Sequence, residues 1–530
     1  MNPNSDEYSR FNIQEEFLDR FLCLHFDNLS EMEMKTILKQ KCPNENNYEF
    51  MIKQIVKAHS DYSSKNMYTL REMDRAAILQ NKTNFKADKI IDILYRTRAG
   101  DDLKTYNNDP ENPFENLDSQ KTAKFNYGQL AYDCLKAGFN IILESEINKD
   151  ITKLAEAIAK KFNKDKQPLM MTMTNELHVS DITEFSVPYT DDVFGRNDLK
   201  IKIKKGIFYK AMTEGRIVII NNLEQGNTRV VESLNDIFDC NVLYESTINF
   251  KRIDKIHEDF RIIFILHSNV PHKLSAAFLN RFVHIKVLND FVSPYPNITD
   301  QINIESRILT EICEKEKIAC TNQVKNAFIY IINAINSNKN ICFCGDNGFG
   351  KSLGINLCLK TQFSDSKVHT IYCNSEININ SLVGKYVFEG KLEFKPGPLL
   401  QAAINGDIVF LKNIDQLSFH VFSCIETIIK CSQNKEREFI IPGFDLSDIK
   451  VSENIHFIAT IDGTNIETIP HYIRKLFACV DAPVPQFNDY EKISELYNKH
   501  DKIIKVLNDC FYTFYERKME DQRRSIEDNR

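Results

Sequence analysis

The chain has 530 residues, and its 17 glycines and 15 prolines are each only about 3% of it, which excludes collagen-like, Gly/Ser-linker and Pro-rich classes. Its 42% hydrophobic and 27% charged content suits packed globular domains, and the length predicts three to four of them. The net charge of −7 gives no global basic field for nucleic acid, and no run of about 18 apolar residues predicts a membrane span. The 14 cysteines form no CxxC pair at zinc spacing and read as thiols of a reducing compartment, so a soluble intracellular chain is expected.

In chain order, a helical stretch over roughly 15–125 comes first, with FLDRFLCLHFD, EMEMKTILKQK, NYEFMIKQIVKAHSDYSS and TLREMDRAAILQ. The turn-rich YNNDPENPFENLDSQ closes it. Asn140-Ile-Ile-Leu then opens an apolar strand that runs into a helix. LKIKIKK (199–205) alternates Ile and Lys and predicts a half-buried hairpin strand with its polar face in water. Gly206-IFYKAMTE-Gly215-RIVII reads as a short helix, a capping glycine and a buried strand, and Phe260-RIIFIL as a further strand. The same three signals recur as Asn340-Ile-Cys-Phe, Gly397-PLLQAAIN-Gly406-DIVFL and Ile455-HFIATI, at offsets of 191 to 200 residues. A unit of about 195 residues with alternating strands and helices predicts a repeated α/β domain around a parallel sheet. The last forty residues are helical and increasingly charged, as in a solvated tail.

Glycine is scarce, yet Gly345, Gly348, Gly350 and Gly354 fall within ten residues. Gly345-Asp346-Asn347-Gly348-Phe349-Gly350-Lys351-Ser352 fits G-x-x-x-x-G-K-[ST] between the strand ICFC and the helix that opens SLGINLCLK. Glycines let backbone N–H groups turn toward phosphate oxygens, and the helix N-terminus adds its positive end. Residues Gly345 to Leu353 are therefore the expected ATP cradle, with Lys351 on the outer phosphates and Ser352 holding Mg2+. In the first copy the corresponding positions are Ser145, Asn148, Asp150 and Ile151, and only Thr152 keeps its type, so no nucleotide is expected there.

A P-loop NTPase also needs an acidic pair where the next core strand ends, one acid for magnesium and one for the attacking water. Those positions are Lys412 and Asn413 in the second copy and Asn221 and Asn222 in the first. Asp415 and Glu224 lie about three residues further on. Losing a general base costs about 10²–10⁴ in rate, and Lys412 is expected to put a positive charge beside the metal. The Lys351 site should bind ATP and turn it over slowly or not at all, unless Asp415 restores the register.

Together these residues resemble the midasin and dynein-related branch of AAA+ ATPases, in which six AAA modules share one polypeptide. The resemblance rests on the P-loop, the two glycine-bounded helices, the helix VVESLNDIFD read as one long element, the sensor-like strands, and Phe278-Leu-Asn-Arg281-Phe282, similar to the family's arginine element. Met1-Asn2-Pro3, Phe17-Leu-Asp-Arg20-Phe21 and Thr69-Leu-Arg71-Glu resemble a sensor tail, a second arginine element and a lid arginine. The sensor asparagine becomes His267 and Asp462 in the later modules, and the third finger position falls on Leu476 with Arg474 nearby.

The resemblance implies P-loop NTPase AAA+ modules, each a parallel sheet between helices, with helical lids. It implies the end and lid of a truncated module over 1–125, a degenerate module over 126–300, an intact one over 301–490, and a partial lid with tail over 491–530. Asp415, Asp462, Arg281 and Arg20 are the implied catalytic positions, with ATP and Mg2+ as cofactors. Other AAA modules of one ring, or further copies of the chain, are the implied partners, together with pre-60S ribosomal particles in the nucleus, the cytoplasm being the alternative location. A non-hydrolysing ATP sensor, a segment of a dynein motor and a segment of a giant AAA ubiquitin ligase remain open alternatives.

Overall fold

The computed structural model describes residues 29–497 and Thr513, apart from 42–47, 64–67, 84, 107–113, 115–124, 148, 150, 194–195, 241–242, 245–251, 254–255, 273, 289–294, 299–305, 349, 390–391, 436, 447, 464–465 and 483–484. The chain divides into two compact units. The first comprises residues 1–293 together with 436–447, and the second comprises 294–435 with 448–530. Among the described residues no helix is long and apolar enough to cross a membrane. Met1-Asn2-Pro3 and the element around Arg20 lie outside the described residues.

The first unit opens with helices α1 (Glu31–Lys41), α2 (Tyr48–Ser63), α3 (Leu70–Thr83) and α4 (Ala87–Ile91). Thr69 and Glu72 form the start of α3, the Glu72 carboxylate accepting from the Thr69 N–H (2.7 Å) and hydroxyl (3.0 Å). The core of the unit is α5 (Tyr127–Ala137), β1 (Ile141–Ser145), α6 (Thr152–Phe162), β2 (Leu169–Thr172), a hairpin of β3 (Glu184–Val193) and β4 (Arg196–Lys205), α7 (Ile207–Glu214) and β5 (Ile217–Asn221). It continues with α8 (Thr228–Ser233), α9 (Asn235–Cys240), β6 (Arg261–His267), α10 (Ala276–Leu279) and β7 (Val283–Lys286). The five parallel strands run in the order β2-β5-β6-β1-β7.

The second unit repeats this plan. Its elements are α11 (Ser306–Lys315), α12 (Asn322–Asn336), β8 (Ile341–Gly345), α13 (Lys351–Gln362), β9 (Val368–Tyr372), a hairpin of β10 (Gly384–Phe388) and β11 (Leu392–Pro396), and α14 (Pro398–Asn405). After β12 (Ile408–Lys412) come α15 (Phe419–Gln433), β13 (His456–Asp462), α16 (His471–Arg474), β14 (Ala478–Asp481) and α17 (Phe487–Tyr497). The sheet order β9-β12-β13-β8-β14 matches the first. Two parallel sheets flanked by helices are thus the α/β architecture expected from the repeated strand and helix signals.

Two devices recur in both units. The side-chain oxygen of Asn140 accepts from the Ile262 N–H (2.9 Å), and that of Asn340 from the Phe457 N–H (3.0 Å). Each asparagine thereby ties the entry of the first core strand to the entry of the fourth, and its own carbonyl accepts from the fifth, at Val283 and Ala478. The glycine before each short helix permits a backbone contact: Gly206 N–H donates to Thr183 O (2.6 Å) and Gly397 N–H to Val383 O (2.8 Å). A Cβ at Gly397 would lie 2.4 Å from the Leu382 carbonyl oxygen. Gly215 and Gly406 end those helices at φ of 68° and 77°, as their capping role requires.

Two local expectations fail. VVESLNDIFD is not one long helix but α8 and α9, broken at Leu234, whereas the matching stretch of the second unit is the continuous α15. The Ile–Lys alternation does form the hairpin strand β4, but its apolar row is not buried: Leu199 and Ile201 are 65% and 67% exposed. Among the described residues the ribbon of β3 and β4 pairs with no other strand.

Residues 436–447 lie in sequence between α15 and β13 yet belong to the first unit. There Glu438 accepts from Lys210 (2.5 Å) and pairs with Arg216, Arg437 pairs with Glu156, and Lys204 with Asp445 (2.6 Å). Burial alone would raise the Glu438 carboxyl, but the hydrogen bonds from Lys210 and Arg216 hold it below its ordinary value of 4.5. A depressed carboxylate contributes stability above its unfolded value and loses it as pH falls through the folded one. Glu438→Gln should therefore lower the urea stability of the first unit at neutral pH, by less than about 1 kcal/mol because the pair is partly exposed. The deficit should shrink below pH 4.5. An equal deficit at acidic pH would contradict this.

Candidate functional site

Ligands of open parallel sheets bind outside the carboxyl ends of the strands. In the second unit that edge carries the glycine-rich loop between β8 and α13. Gly348 and Gly350 adopt φ of 88° and 76°, and a Cβ added at either would meet nothing within 4 Å, so the loop is left-handed and open to solvent. Lys351, the first residue of α13, is 8% exposed. Its ammonium donates to Gly345 O (2.5 Å) and Asp346 O (2.9 Å) and lies 3.3 Å from Asp462 Oδ1. Ser352 follows on the same turn and is half-buried, Asn347 is exposed, and Phe349 lies outside the described residues. Leu353 is 49% exposed.

The sheet explains why Asp462 is there. The parallel register pairs Gly345 with Asp462, so the last residue of β13 stands beside the first residue of the loop. The expected sensor position and the loop lysine are thus brought together.

Other expected residues fall elsewhere. Gly354 belongs to no cradle: a Cβ there would sit 3.0 Å from Ala327 Cβ and 3.2 Å from Val324 Cα, so this glycine serves the approach of α13 to α12. Lys412 turns its ammonium over the Tyr372 ring (4.5 Å) on β9. That strand flanks β12 on the side away from β8. Arg474 stacks on Tyr295 (4.1 Å), in the same unit. Arg281 donates to Ala277 O (2.6 Å) at the end of α10. Around it, Phe278 and Phe282 pack with Phe264 and Phe238, and the buried Arg75 donates to Asn280 O (2.7 Å). The arginine element is therefore anchored in the first unit through these neighbours.

At the end of β12, Asn413 has φ of 58° and leads into a 3-10 turn, Ile414–Gln416. Asn222 does the same after β5, at φ of 55°. Asparagine tolerates this left-handed region better than most residues, which accounts for its presence at both strand ends. The acids follow within the turns. In the first unit Glu224 reaches back to His267, its carboxylate 2.7 Å from Nδ1 and accepting from the His267 N–H (3.2 Å). In the second, Asp415 Oδ1 is buried with no hydrogen-bond partner among the described residues, while its other oxygen accepts from Gln416 (2.7 Å).

The first unit's loop is filled by its own groups. Ile151 stands at the lysine position, 1% exposed, and the Ile147 N–H donates to Asn269 Oδ1 (3.0 Å). Lys149 pairs with Glu146 (3.2 Å), and Ser145 Oγ donates to Lys149 O (3.3 Å). Asn148 and Asp150 lie outside the described residues.

One constellation has no CxxC signature. Cys342 and Cys344 on β8 and Cys479 on β14 bring their sulfurs within 4.8 Å of one another. The readable signal was Cys-x-Cys in a strand, whose period of two puts both thiols on one face.

The profile of the AAA domain (dynein-related subfamily) matches residues 152–282 and 340–461. No curated protein matches. A crystal structure of a protein named "putative ATPase", from Cytophaga hutchinsonii, is 14% identical with a TM-score of 0.26. The match covers 36% of this chain and 54% of that one, so this chain spans about half its length.

The contrast between the two α13 glycines gives a test. Gly354→Val should cost roughly 1–3 kcal/mol in thermal unfolding, because α12 has no room to yield. Gly350→Ala should cost only the left-handed strain, about 1–2 kcal/mol, with no steric part. A neutral Gly354→Val would remove the packing role. Residues 152–282 and 340–461 form AAA domains of the dynein-related subfamily of AAA+ ATPases.

Proposed function

We propose that the second unit binds a magnesium–nucleoside triphosphate, ATP by family, at residues Gly345 to Leu353, and hydrolyses it slowly or not at all. The observation that carries the reading is Lys351, a nearly buried ammonium beside an open loop with two left-handed glycines. Its partners include two neutral carbonyls, which phosphate oxygens can outcompete electrostatically. The residues suit such a ligand: loop N–H groups and the start of α13 for the phosphates, Lys351 for the outer ones, and Ser352 for Mg2+. The bound magnesium would supply charge neutralisation at the phosphates.

The slow-turnover half rests on the end of β12. Lys412 and Asn413 occupy the positions where acids would stand, and the left-handed Asn413 points the chain into a turn rather than along the strand. Asp415 is the acid left to serve, and its unpaired buried oxygen makes it the residue to test. Asp462, beside Lys351, fits a role in positioning that ammonium.

Assembly with further AAA modules, in a ring or as copies of this chain, is the partner reading that the two AAA domains favour. By the midasin resemblance alone, we propose remodelling of pre-60S particles in the nucleus as the wider role.

Equilibrium binding of Mg·ATP to the full chain tests the first half. The expected result is saturable binding that Lys351→Ala weakens at least about tenfold. Phosphate release tests the second: turnover near background is expected, unchanged in Asp415→Asn. Steady release abolished by Lys351→Ala would sink the slow-turnover reading, and release lost in Asp415→Asn would show that this acid restores the register.

A further inference from the structure

We propose that Cys342, Cys344 and Cys479 form a binding site for a soft, three-coordinate metal cation of the Cu(I) type. Cys342 and Cys344 alternate along β8 with Ile341 and Phe343, which face the core of α12 and α13. The two cysteines therefore share the opposite face of the strand. The parallel register sets Cys342 against Cys479 on β14, completing a triangle of sulfurs within 4.8 Å of one another. All three are free thiols; Cys342 and Cys344 are at most 1% exposed, and Cys479 is half-buried and opens a path for entry.

The donor set selects the ion. Soft thiolates favour Cu(I), zinc and iron–sulfur clusters. Structural zinc takes four ligands in a tetrahedron, and among the described residues no fourth His, Cys, Asp or Glu atom joins this group. Two of the sulfurs are shut off from solvent, so water is poorly placed to complete the shell. A metal–sulfur bond of about 2.3 Å in a trigonal plane separates sulfurs by about 4.0 Å. The cluster thus closes on such an ion by moving less than about 1 Å. Arg474, which acts electrostatically on Cys479, offsets part of the negative charge of three thiolates.

The position gives the site a consequence. Cys344 immediately precedes Gly345, and its carbonyl accepts from the Ala482 N–H (2.6 Å) just beyond β14. A cation held by both strands would cross-link them one residue before the glycine-rich loop.

The test is titration of the full, reduced chain with Cu(I) against a competing chromophoric chelator under anaerobic conditions. The expected result is one high-affinity equivalent in the wild-type chain, bound by three sulfurs in X-ray absorption. That equivalent should weaken at least about 100-fold in Cys479→Ser and in Cys342→Ala, and persist in Cys320→Ser, a half-buried cysteine outside the cluster. Cys479 is partly exposed, so Cys479→Ser decides the matter if Cys342→Ala fails to fold. Uptake unchanged in Cys479→Ser, a two-sulfur spectrum, or tighter binding of Zn(II) in a four-ligand shell would each overturn the proposal.

Discussion

Asn340 sets the register on which the second unit depends. Its side chain accepts from Phe457 and its carbonyl from Ala478, so β8 is fixed between β13 and β14 at its entry. From that one alignment the rest follows along the strands. Gly345 meets Asp462 at the far end, which puts an acid beside the loop lysine, and Cys342 meets Cys479 midway. A slip of one residue would turn every side chain of β8 to the wrong face. Asn140 performs the same task in the first unit, where the strand ends are otherwise spent on a different chemistry.

That difference shows how one scaffold has diverged at the strand ends. In the second unit the end of the fourth core strand carries Asp462, the turn after the third carries Asp415, and Lys351 stands between loop and sheet. In the first, the equivalent positions are His267, Glu224 and Ile151. The histidine and glutamate satisfy each other, and the isoleucine is buried where an ammonium would otherwise need partners. The described residues of the first loop thus replace open polar groups with contacts internal to the protein. Buried polar groups left without partners are costly, so losing the lysine and closing the loop are coupled changes.

Most of the sheet architecture was legible because it rests on local signals: β-branched runs, glycines that end helices, and a repeat that offers each signal twice. The glycine-rich loop was legible for the same reason. What escaped reading depends on long-range packing. Whether the Ile row of β4 is covered depends on a second layer that no local pattern reports. Gly354 looks like part of the loop's cluster, but its neighbour is α12, brought there by tertiary packing. Lys412 is legible as a strand-end residue, but that its ammonium lies over Tyr372 on the adjacent strand is not. The three cysteines are 135 or more residues apart in two of their pairings, and only strand pairing makes them neighbours. VVESLNDIFD has helical composition throughout, and the interruption at Leu234 has no strong breaker to announce it.

The excursion of residues 436–447 into the first unit has a bearing on how the chain comes to be folded. The last sheet strand of that unit ends at Lys286, yet Glu438, which joins Lys210 and Arg216, is about 150 residues further along. Made at roughly 5–20 residues per second, the unit would wait about eight to thirty seconds for those ion pairs after its sheet is complete. During that interval Lys210 and Arg216 lack this carboxylate. Vectorial synthesis therefore leaves these ion pairs of the first unit unmade until more than half of the second unit's residues have been synthesised.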